Sequence, residues 1–492
     1  MGGKSFGWFP LSMSTIATQL SAISFISAPA FVGLKQNGGM QWLTYEFAVP
    51  LAMIFLMVFL IPPMYKAGIV SVYAYLEKRF ATSTRVLLSG VFQLSRAFAT
   101  SVMVYTVALI LGEVLGIKMW HTILIIGVVT LIYSYQGGMK AVVYGDMLQM
   151  FILFAGIVIC LVAGIQYIGG WEEFLGSLDK DRLQAVDFQS LGFNGDEFGF
   201  WPMLLGGFFL YASYYGTDQS QVQRLFSAQD MGTVKKTLLF NGLLRFPITF
   251  VYCIMGLVIG TLVLQDPAFQ EAIPKNKPDL MIPIFIRDYL PHGLIGILLV
   301  AILSAAMSSL SSAINSLSAA TVEDFFNRKK QLNVKTQLSY SKLAALFWGI
   351  FCIVLAFFTG DIADTVIEAI NKIGSVFYGP ILATFIAAIG IKKINATGIN
   401  LGILAGVLVN IYLWQFVPDV FWFWWNAIGA AVTLFVAWLG SQLKTENSGT
   451  GDDIQMDGFQ AVFTQTDRKY ISILLAFFVV IVLVSISVPS IF

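Results

Sequence analysis

The chain has 492 residues, of which 57% are hydrophobic and only 12% are charged. Because soluble globular domains carry about a quarter of charged residues, this composition excludes an ordinary soluble protein. The formal net charge is +1 and no basic arm is present, so the sequence does not indicate a nucleic-acid partner. The cysteines lie in apolar stretches without metal-ligand spacing, which indicates packing rather than a metal site or a disulfide.

Long apolar stretches recur along the whole chain, and they are continuous rather than alternating. A helix that crosses a membrane needs about 20 mostly apolar residues. Continuous stretches indicate such helices, whereas a membrane β-barrel would alternate apolar and polar residues. We therefore predict an all-α, multi-pass membrane protein. The predicted spans number about thirteen, at residues 8–33, 42–64, 86–116, 121–136, 144–169, 200–219, 237–264, 283–320, 338–358, 362–391, 397–416, 421–441 and 470–489.

Lys and Arg residues are concentrated in the loops on one side of these spans, the side that also carries the N-terminus. Basic loops of membrane proteins usually face the cytoplasm. We therefore expect a cytoplasmic N-terminus and an extracytoplasmic C-terminus in a plasma membrane or a bacterial inner membrane. The first residues lack the pattern of a cleavable signal peptide.

The predicted spans fall into two sets of five, separated by an acidic loop. We predict a first repeat in residues 1–169, an extracellular loop at 170–199, a second repeat in 200–391 and three additional spans in 397–492. Because five is odd, the second set starts on the opposite side of the membrane, which is typical of inverted-repeat transporters. Polar residues interrupt the first span of each set, at 17–27 and at 211–220. Paired interruptions predict a binding site near the bilayer midplane.

The segment AAMSSLSSAINS at 305–316 places many hydroxyl groups in an otherwise apolar predicted helix. Uncharged oxygen ligands suit a hard cation that must bind and then leave. Small residues also let helices pack closely in membranes. From the residues alone, an ion site and a packing surface are about equally supported.

Charged residues inside predicted spans need a function or a partner, because an unpaired charge in the bilayer is costly. Arg96 lies deep in the third span, and its forked guanidinium suits a carboxylate; a structural ion pair with an acidic side chain is the alternative. Asp146 opens the fifth span, where the positive end of a helix dipole also favours an acid. Glu368 and Lys372 are four residues apart, and we expect them to pair with each other.

Four motifs, spread over residues 2–391, resemble the sodium:solute symporter family, which includes sodium–glucose, sodium–iodide, multivitamin, proline and sialic acid transporters. The motifs are GGKSFGWF (2–9), GGMKAVVYGDMLQ (137–149), YYGTDQSQVQRLFSA (214–228) and MSSLSSAINS (307–316). The resemblance implies the LeuT fold, with a 5+5 inverted-repeat core. It also implies Na⁺ as the coupling ion with no other cofactor, a small-molecule substrate and a monomeric transporter rather than an enzyme. Members often carry one more span before the first motif, so this chain either lacks it or is a shortened form.

The resemblance also implies site residues by position. It places a principal sodium site, the family's Na2 site, at Ala17, Leu20, Ala305, Ser308 and Ser309. It places a second sodium site at Asp146, Ser308, Ser311 and Ser312. The implied substrate contacts are Gln19, Ser21, Ser24, Arg96 and Asn371, with Tyr214 as the aromatic gate beneath them.

Arg96 distinguishes the possible substrates. Sialic acid transporters of the family resemble this sequence in having an arginine here, so we expect symport of sialic acid or another carboxylated sugar by alternating access. A neutral sugar, a polyol or a monocarboxylate is the alternative. A channel would need a ring of filter groups, a sensor would need a cytoplasmic signalling domain, and an enzyme would need a nucleophile, a metal or paired carboxylates. The sequence shows no sign of these.

Overall fold

The structure is a computed structural model that describes residues 6–19, 22–69, 71–134, 139–195, 197–327, 332–360, 362–443 and 464–492. This part of the chain is almost entirely helical. Its α-helices are α1 (Trp8–Gln19), α2 (Ala22–Gly33), α3 (Ala48–Phe55), α4 (Ile61–Lys66), α5 (Ala74–Arg79), α6 (Thr82–Leu115), α7 (Met119–Ser134), α8 (Met139–Ile168), α9 (Trp171–Ser177), α10 (Phe200–Thr217), α11 (Gln219–Leu225), α12 (Met231–Gln265), α13 (Pro267–Ala272), α14 (Met281–Tyr289), α15 (His292–Thr321), α16 (Val334–Ala356), α17 (Val366–Gly390), α18 (Ala396–Phe416), α19 (Trp422–Leu443) and α20 (Gln465–Ile491). Shorter 3₁₀ or π segments include Met40–Phe47, Leu56–Leu60 and Val322–Phe326.

Ten helical segments in the described residues are long and apolar enough to cross a membrane. The α1–α2 pair, bent by 55°, adds an eleventh if it is counted as one span. The two remaining predicted spans correspond to α7 and α10, which do not meet the same test of length and composition. The all-helical membrane architecture is confirmed, while the number thirteen and the repeat boundaries stay predictions.

A break lies within each of the two stretches where polar residues predicted an interruption, although the second comes only at the end of α10, which stays helical through Thr217. Helix α1 ends at Gln19 and α2 begins at Ala22. In the second, α10 ends at Thr217 and the extended residue Asp218 caps α11, accepting a hydrogen bond from the Ser220 backbone N–H at 2.8 Å. An aspartate side chain satisfies the free N–H groups of a helix start. Each break therefore exposes backbone and polar groups inside the bundle.

Helices α1 and α2 lie at the centre of the bundle. Helix α1 packs on α8, α12 and α15, and α2 packs closely on α12. A Cβ atom added to Gly33 would lie 2.1 Å from the carbonyl oxygen of Gly256, so the two backbones touch there. Small residues allow this approach between membrane helices. Helix α6 packs on α15 and α17, which encloses the breaks from the other side.

The last three helices lie outside this arrangement. Helices α18 and α19 pack on each other and on α17. Helix α20 packs on α3 and α12, where Lys235 donates to the Asp467 carboxylate at 2.5 Å. No residue of these three helices lines the cavity described next.

Candidate functional site

A cavity of about 70 Å³ lies where the α1–α2 break meets α6, α10, α12 and α17. We call it the central cavity. Apolar side chains form part of its wall, among them Met103 and Ile370. Apolar side chains beside convergent polar groups are typical of a small-molecule site. Its polar lining residues are Thr18, Gln19, Ser24, Tyr45, Arg96, Tyr214, Arg245, Asn371 and Tyr378.

Most of the implied substrate contacts line this cavity. Gln19 accepts a hydrogen bond from the Tyr215 hydroxyl at 2.5 Å, which fixes its side chain beside the break. Ser24 donates to the Gln19 carbonyl oxygen at 3.5 Å. Asn371 donates to the Ile367 carbonyl oxygen at 2.7 Å within its own helix. Ser21 lies outside the described residues.

Tyr214, the implied gate, closes one side of the cavity. Its hydroxyl donates to the Thr18 carbonyl oxygen at 3.3 Å, which bridges α10 and the end of α1. Its ring lies edge-on to that of Tyr378, with centroids 6.3 Å apart. The side chain therefore links both halves of the cavity wall, as a gate between them requires.

Arg96 lies on α6 and faces the second break. Its Nη1 atom is 3.4 Å from Oδ2 of Asp218, and both side chains are buried. The guanidinium also lies over the Tyr214 ring, 5.9 Å from its centroid. The buried Nε atom has no hydrogen-bond partner within the described residues. Arg96 is thus in the structural ion pair considered above, yet it keeps a free N–H donor.

A second arginine, Arg245 on α12, also lines the cavity. Its Nε atom donates to both carboxylate oxygens of Glu46, at 3.1 and 3.0 Å. Thr249 donates to the same carboxylate at 3.0 Å. The buried Nη1 atom has no acceptor in the part of the chain that the structure describes. Sequence reasoning missed Arg245 as a site residue, although a charge inside a predicted span was the signal.

The charged groups of the cavity balance each other. Asp218 neutralises Arg96 and Glu46 neutralises Arg245. The cavity therefore has no net positive charge from these groups that would attract an anion over a long distance. At short range, however, Arg96 and Arg245 each present a buried N–H without an acceptor. Because an unsatisfied buried donor is costly, a ligand that brings acceptor oxygens gains affinity here. A carboxylate supplies such oxygens in a geometry that arginine matches.

The residues of the implied second sodium site converge around Asp146. Its Oδ2 atom accepts from Ser14 at 2.5 Å and from Arg224 at 3.0 Å, while Ser308 donates to Oδ1. Arg224 also donates to Ser312 at 3.1 Å. We call these five residues the Asp146 cluster. A guanidinium therefore lies within the same set of oxygen ligands that a second sodium would use.

Ser14 and Arg224 are the members of this cluster that sequence reasoning missed. Arg224 follows the predicted span at 200–219 and therefore falls in a predicted loop, yet it is only 1% exposed. The fourth implied ligand, Ser311, accepts instead from Asn315 at 3.5 Å. The structure thus brings three of the four implied ligands together, and the Arg224 guanidinium lies among them.

The residues of the implied principal sodium site lie on two helices in contact. Ala17 is buried on α1, and Ser308 and Ser309 are buried on α15. Helix α1 packs on α15. Leu20 lies outside the described residues, and Ala305 lies in α15 with its side chain outside them. Ser308 belongs to both implied sites and is bound to the second, so the complete ligand set stays a prediction.

The pairing of Glu368 with Lys372 was wrong. Glu368 binds Lys35 instead, at 3.2 Å. The Lys372 ammonium lies 6.0 Å from the centroid of the Trp425 ring. Lys35 follows the end of α2, which packs on α17. Glu368 therefore pairs with a lysine from a neighbouring helix rather than with Lys372, which lies four residues further along its own helix.

Similarities to known proteins agree with this geometry. A statistical model of the sodium:solute symporter family matches residues 1–406. The sodium/iodide cotransporter of Homo sapiens is 28% identical over 420 residues, which are 84% of this chain and 64% of the relative. The sodium-coupled monocarboxylate transporter 1 of Xenopus laevis is 30% identical over 420 residues, which are 84% of this chain and 66% of the relative. The match thus spans slightly less than two thirds of these relatives' length.

Two solved structures share the fold. A Na⁺-coupled sialic acid symporter in a substrate-bound outward-open state has a TM-score of 0.78 at 24% identity, covering 90% of this chain and 91% of that chain. A nucleobase-cation-symport-1 family transporter in a closed conformation has a TM-score of 0.54 at 12% identity, covering 96% and 97%. The predicted LeuT-like fold class is confirmed.

Proposed function

Because the chain belongs to the sodium:solute symporter family, we propose that it is a sodium-coupled transporter that imports a small organic solute by alternating access. The protein acts as a monomer in the membrane and is not an enzyme. Its N-terminus is cytoplasmic and its C-terminus extracytoplasmic, an orientation supported by the basic loops. The two sets of five spans form the inverted repeats, and the solute binds in the central cavity.

Coupling follows from the position of the implied sodium ligands. Sodium bound between α1 and α15, at Ala17, Ser308 and Ser309, holds these helices together beside the first break. The substrate binds at the other side of the same break, against Gln19 and Ser24. Sodium and substrate then stabilise the same conformation, and each raises the affinity for the other. Loss of sodium to the cytoplasm releases α15 and lets Tyr214 swing aside.

The substrate is a carboxylate, and we favour sialic acid or another carboxylated sugar. The observation that carries this proposal is the unpartnered N–H donor on each of two buried arginines, Arg96 and Arg245. A carboxylate with two acceptor oxygens satisfies such donors, whereas an alcohol must also find acceptors for its own proton. The hydroxyl-rich body of a sugar acid suits Gln19, Ser24 and Asn371. A fold-level analogy to a sialic acid symporter points the same way.

A small monocarboxylate is the second candidate. The central cavity of about 70 Å³ is small, and the relatives include sodium-coupled monocarboxylate transporters, one of them 30% identical. A monocarboxylate would use the same arginine donors and would leave the amide side chains without a role. The two candidates therefore differ in the part of the substrate that is not the carboxylate.

An uptake assay with purified protein in proteoliposomes tests the substrate class. Radiolabelled sialic acid, a short monocarboxylate and a neutral hexose are each offered under an inward sodium gradient. We expect accumulation of a carboxylate, and an Arg96→Ala variant with at least about a tenfold weaker affinity for it, because one charge-assisted hydrogen bond contributes about 1.5–3 kcal/mol. Arg287→Ala, which alters an arginine of α14 that does not line the central cavity, is the control. Unchanged carboxylate affinity in Arg96→Ala refutes the carboxylate assignment.

A further inference from the structure

We propose that Asp218 is a tethered competitor of the substrate: its carboxylate occupies Arg96, and the carboxylate of the substrate displaces it. Displacement frees the break between α10 and α11 from α6. The idea rests on the proposed function, since it requires a carboxylate substrate in the central cavity. It assigns to Asp218 a role in both affinity and coupling.

The ion pair between Arg96 and Asp218 is poorly formed. It consists of one contact of 3.4 Å. The other arginine of the cavity, Arg245, reaches two oxygens of Glu46 at 3.1 and 3.0 Å. Arg96 also retains a buried Nε atom without a partner among the described residues. Because bidentate arginine–carboxylate pairs are stronger than single contacts, an incoming carboxylate that meets Arg96 in bidentate geometry improves on the existing pair.

Asp218 has other partners that hold it when Arg96 turns away. Its Oδ1 atom accepts from the Ser220 backbone N–H at 2.8 Å and from the Ser220 hydroxyl at 2.5 Å. These bonds belong to the N-terminal cap of α11 and do not involve Arg96. A buried carboxylate that loses all its partners would be strongly unfavourable. The cap reduces this cost, so exchange of Asp218 for the substrate is accessible.

Two further hydrogen bonds among the described residues attach the second break, besides the Arg96–Asp218 pair. The Thr217 carbonyl oxygen accepts from the Tyr73 hydroxyl at 3.0 Å. The Gln219 side chain accepts from the Val72 backbone N–H at 2.9 Å. Both of these reach the residues directly before α5, whereas Asp218 reaches α6 itself. Substrate binding to Arg96 removes the attachment nearest the cavity and so favours the movement of α11 relative to α6.

The proposal predicts a difference between binding and transport. A neutral isostere of the substrate, with an amide in place of the carboxylate, does not displace Asp218. Such a compound can occupy the cavity without releasing the break. We expect it to inhibit uptake of the carboxylate without being accumulated itself.

Asp218→Asn is the variant that tests competition most directly, because asparagine caps a helix about as well as aspartate but carries no charge for Arg96. Equilibrium binding of the radiolabelled carboxylate identified in the uptake screen is measured on the full-length protein at saturating sodium. We expect affinity to rise by about threefold or more, since the competing charged contact is removed. Asp218→Ser, which also keeps a capping oxygen, should give the same direction.

Asp230→Asn is the matched control, because Asp230 caps α12 at the exposed surface and pairs with no arginine in the part of the chain that the structure describes. It should leave the affinity for the carboxylate unchanged.

If Asp218→Asn and Asp218→Ser both fold, as judged by thermal unfolding, and bind the carboxylate equally or more weakly than the parent protein, competition is refuted. If instead Arg96→Ala binds the carboxylate as tightly as the parent protein does, the proposed recognition of a carboxylate by Arg96 is refuted, and the competition proposal is refuted with it. A double variant, Arg96→Ala with Asp218→Asn, should show no gain over Arg96→Ala alone.

Discussion

Buried arginines, each paired with an acid from a distant part of the chain, set the chemistry around the breaks. Arg96 faces Asp218, Arg224 faces Asp146, and Arg245 faces Glu46. Removing one partner of such a pair leaves an uncompensated charge in the interior. These pairs therefore hold helices together and also define which positions a ligand or an ion must compete for.

The Asp146 cluster gives a prediction about sodium and stability. In Arg224→Gln the Asp146 carboxylate loses its guanidinium, and breaking a buried pair costs about 3–5 kcal/mol. We expect the unfolding temperature of this variant to fall in choline chloride and to recover in sodium chloride, because sodium then occupies the oxygen ligands left around Asp146. Thermal unfolding in detergent at equal ionic strength measures both values.

The control for this experiment is Arg287→Gln, which should show the same small sodium effect as the parent protein. An Arg224→Gln variant that is destabilised equally in both salts would show that the cluster does not accept sodium. In that case Asp146 and its serines form a structural network around Arg224 only.

The positions of these charges were predictable from the sequence, but their partners were not. Arg96 and Asp146 drew attention because they interrupt apolar spans. Arg224 did not, since it follows the second break and resembles a loop residue until α11 is seen to lie inside the bundle. Glu368 was expected to bind its helical neighbour, and instead binds Lys35 from another helix. Partner choice depends on how helices pack, which a single sequence does not specify.

At the scale of elements, the contact between α2 and α12 forms one of the tightest helix pairs in the bundle. A Cβ atom on Gly256 would lie 2.6 Å from the Pro29 carbonyl oxygen, and one on Gly260 would lie 2.4 Å from that of Gly33. Neither backbone can shift without moving the whole helix. The second half of the broken span therefore moves together with α12.

Gly256→Ala should consequently destabilise the protein by roughly 1–3 kcal/mol, because an added methyl group overpacks a rigid contact. Gly90→Ala is the matched control. It alters a helical glycine whose added Cβ would meet no atom within 4 Å. Because alanine loses less backbone entropy on folding than glycine does, this variant should be more stable by about 0.5–1 kcal/mol. Thermal unfolding compares the two variants. Equal stability of Gly256→Ala and the parent would show that α2 and α12 are not held this closely.

Asp279 links elements of the bundle from the connection between α12 and α15. Its Oδ2 atom accepts from the Val366 backbone N–H at 2.8 Å, at the start of α17. Its Oδ1 atom is buried without a partner in the described part of the chain. Burial raises the pKa of Asp279 from its ordinary value of 3.8 to about 7, and the nearby Glu368 carboxylate adds to this effect. Lys35 neutralises Glu368 from the other side.

This pKa gives a pH dependence with a definite sign. Between the ordinary and the raised pKa, the folded protein binds more protons at Asp279 than the unfolded chain does, so this group makes stability fall as pH rises through that window. We expect Asp279→Asn to flatten the decrease in unfolding temperature between about pH 4 and about pH 7. Asp266→Asn, which changes a partly exposed acid of the same connection, should not. An unaltered pH profile in Asp279→Asn would contradict the assignment.

The breaks themselves were the most predictable elements. Polar residues within apolar stretches indicated both. The first break lines the central cavity, whereas the second contacts a lining residue, Arg96, through Asp218. The direction of each helix beyond its break was not predictable, because it depends on contacts such as those of Tyr215 with Gln19 and of Arg96 with Asp218. Arg245, the second arginine of the cavity, was missed as a site residue because a single sequence does not show that this part of α12 lines the cavity.

At the scale of the whole molecule, family membership and the LeuT-like fold agree with what the motifs implied. The two breaks, the Asp146 cluster and the serines of α15 lie within one continuous region of the bundle. Helices α1, α6, α11 and α15 meet there, so movement of any of them alters the ion ligands and the substrate cavity together. This arrangement is what the proposed coupling of a sodium gradient to solute uptake requires.

The most direct test of this account is sodium-driven uptake by a Ser309→Ala variant in proteoliposomes. Ser309 is buried on α15 and belongs to the implied principal sodium site alone, whereas Ser308 is also bound to Asp146. Ser472→Ala, which removes a hydroxyl bonded within α20 at the surface, is the control.

The account predicts that the parent and Ser472→Ala accumulate the solute only under an inward sodium gradient. It predicts that Ser309→Ala needs about tenfold more sodium for half-maximal uptake, which corresponds to a loss of about 1.4 kcal/mol in sodium binding. Uptake by Ser309→Ala with unchanged sodium dependence, or uptake by the parent without sodium, would contradict it.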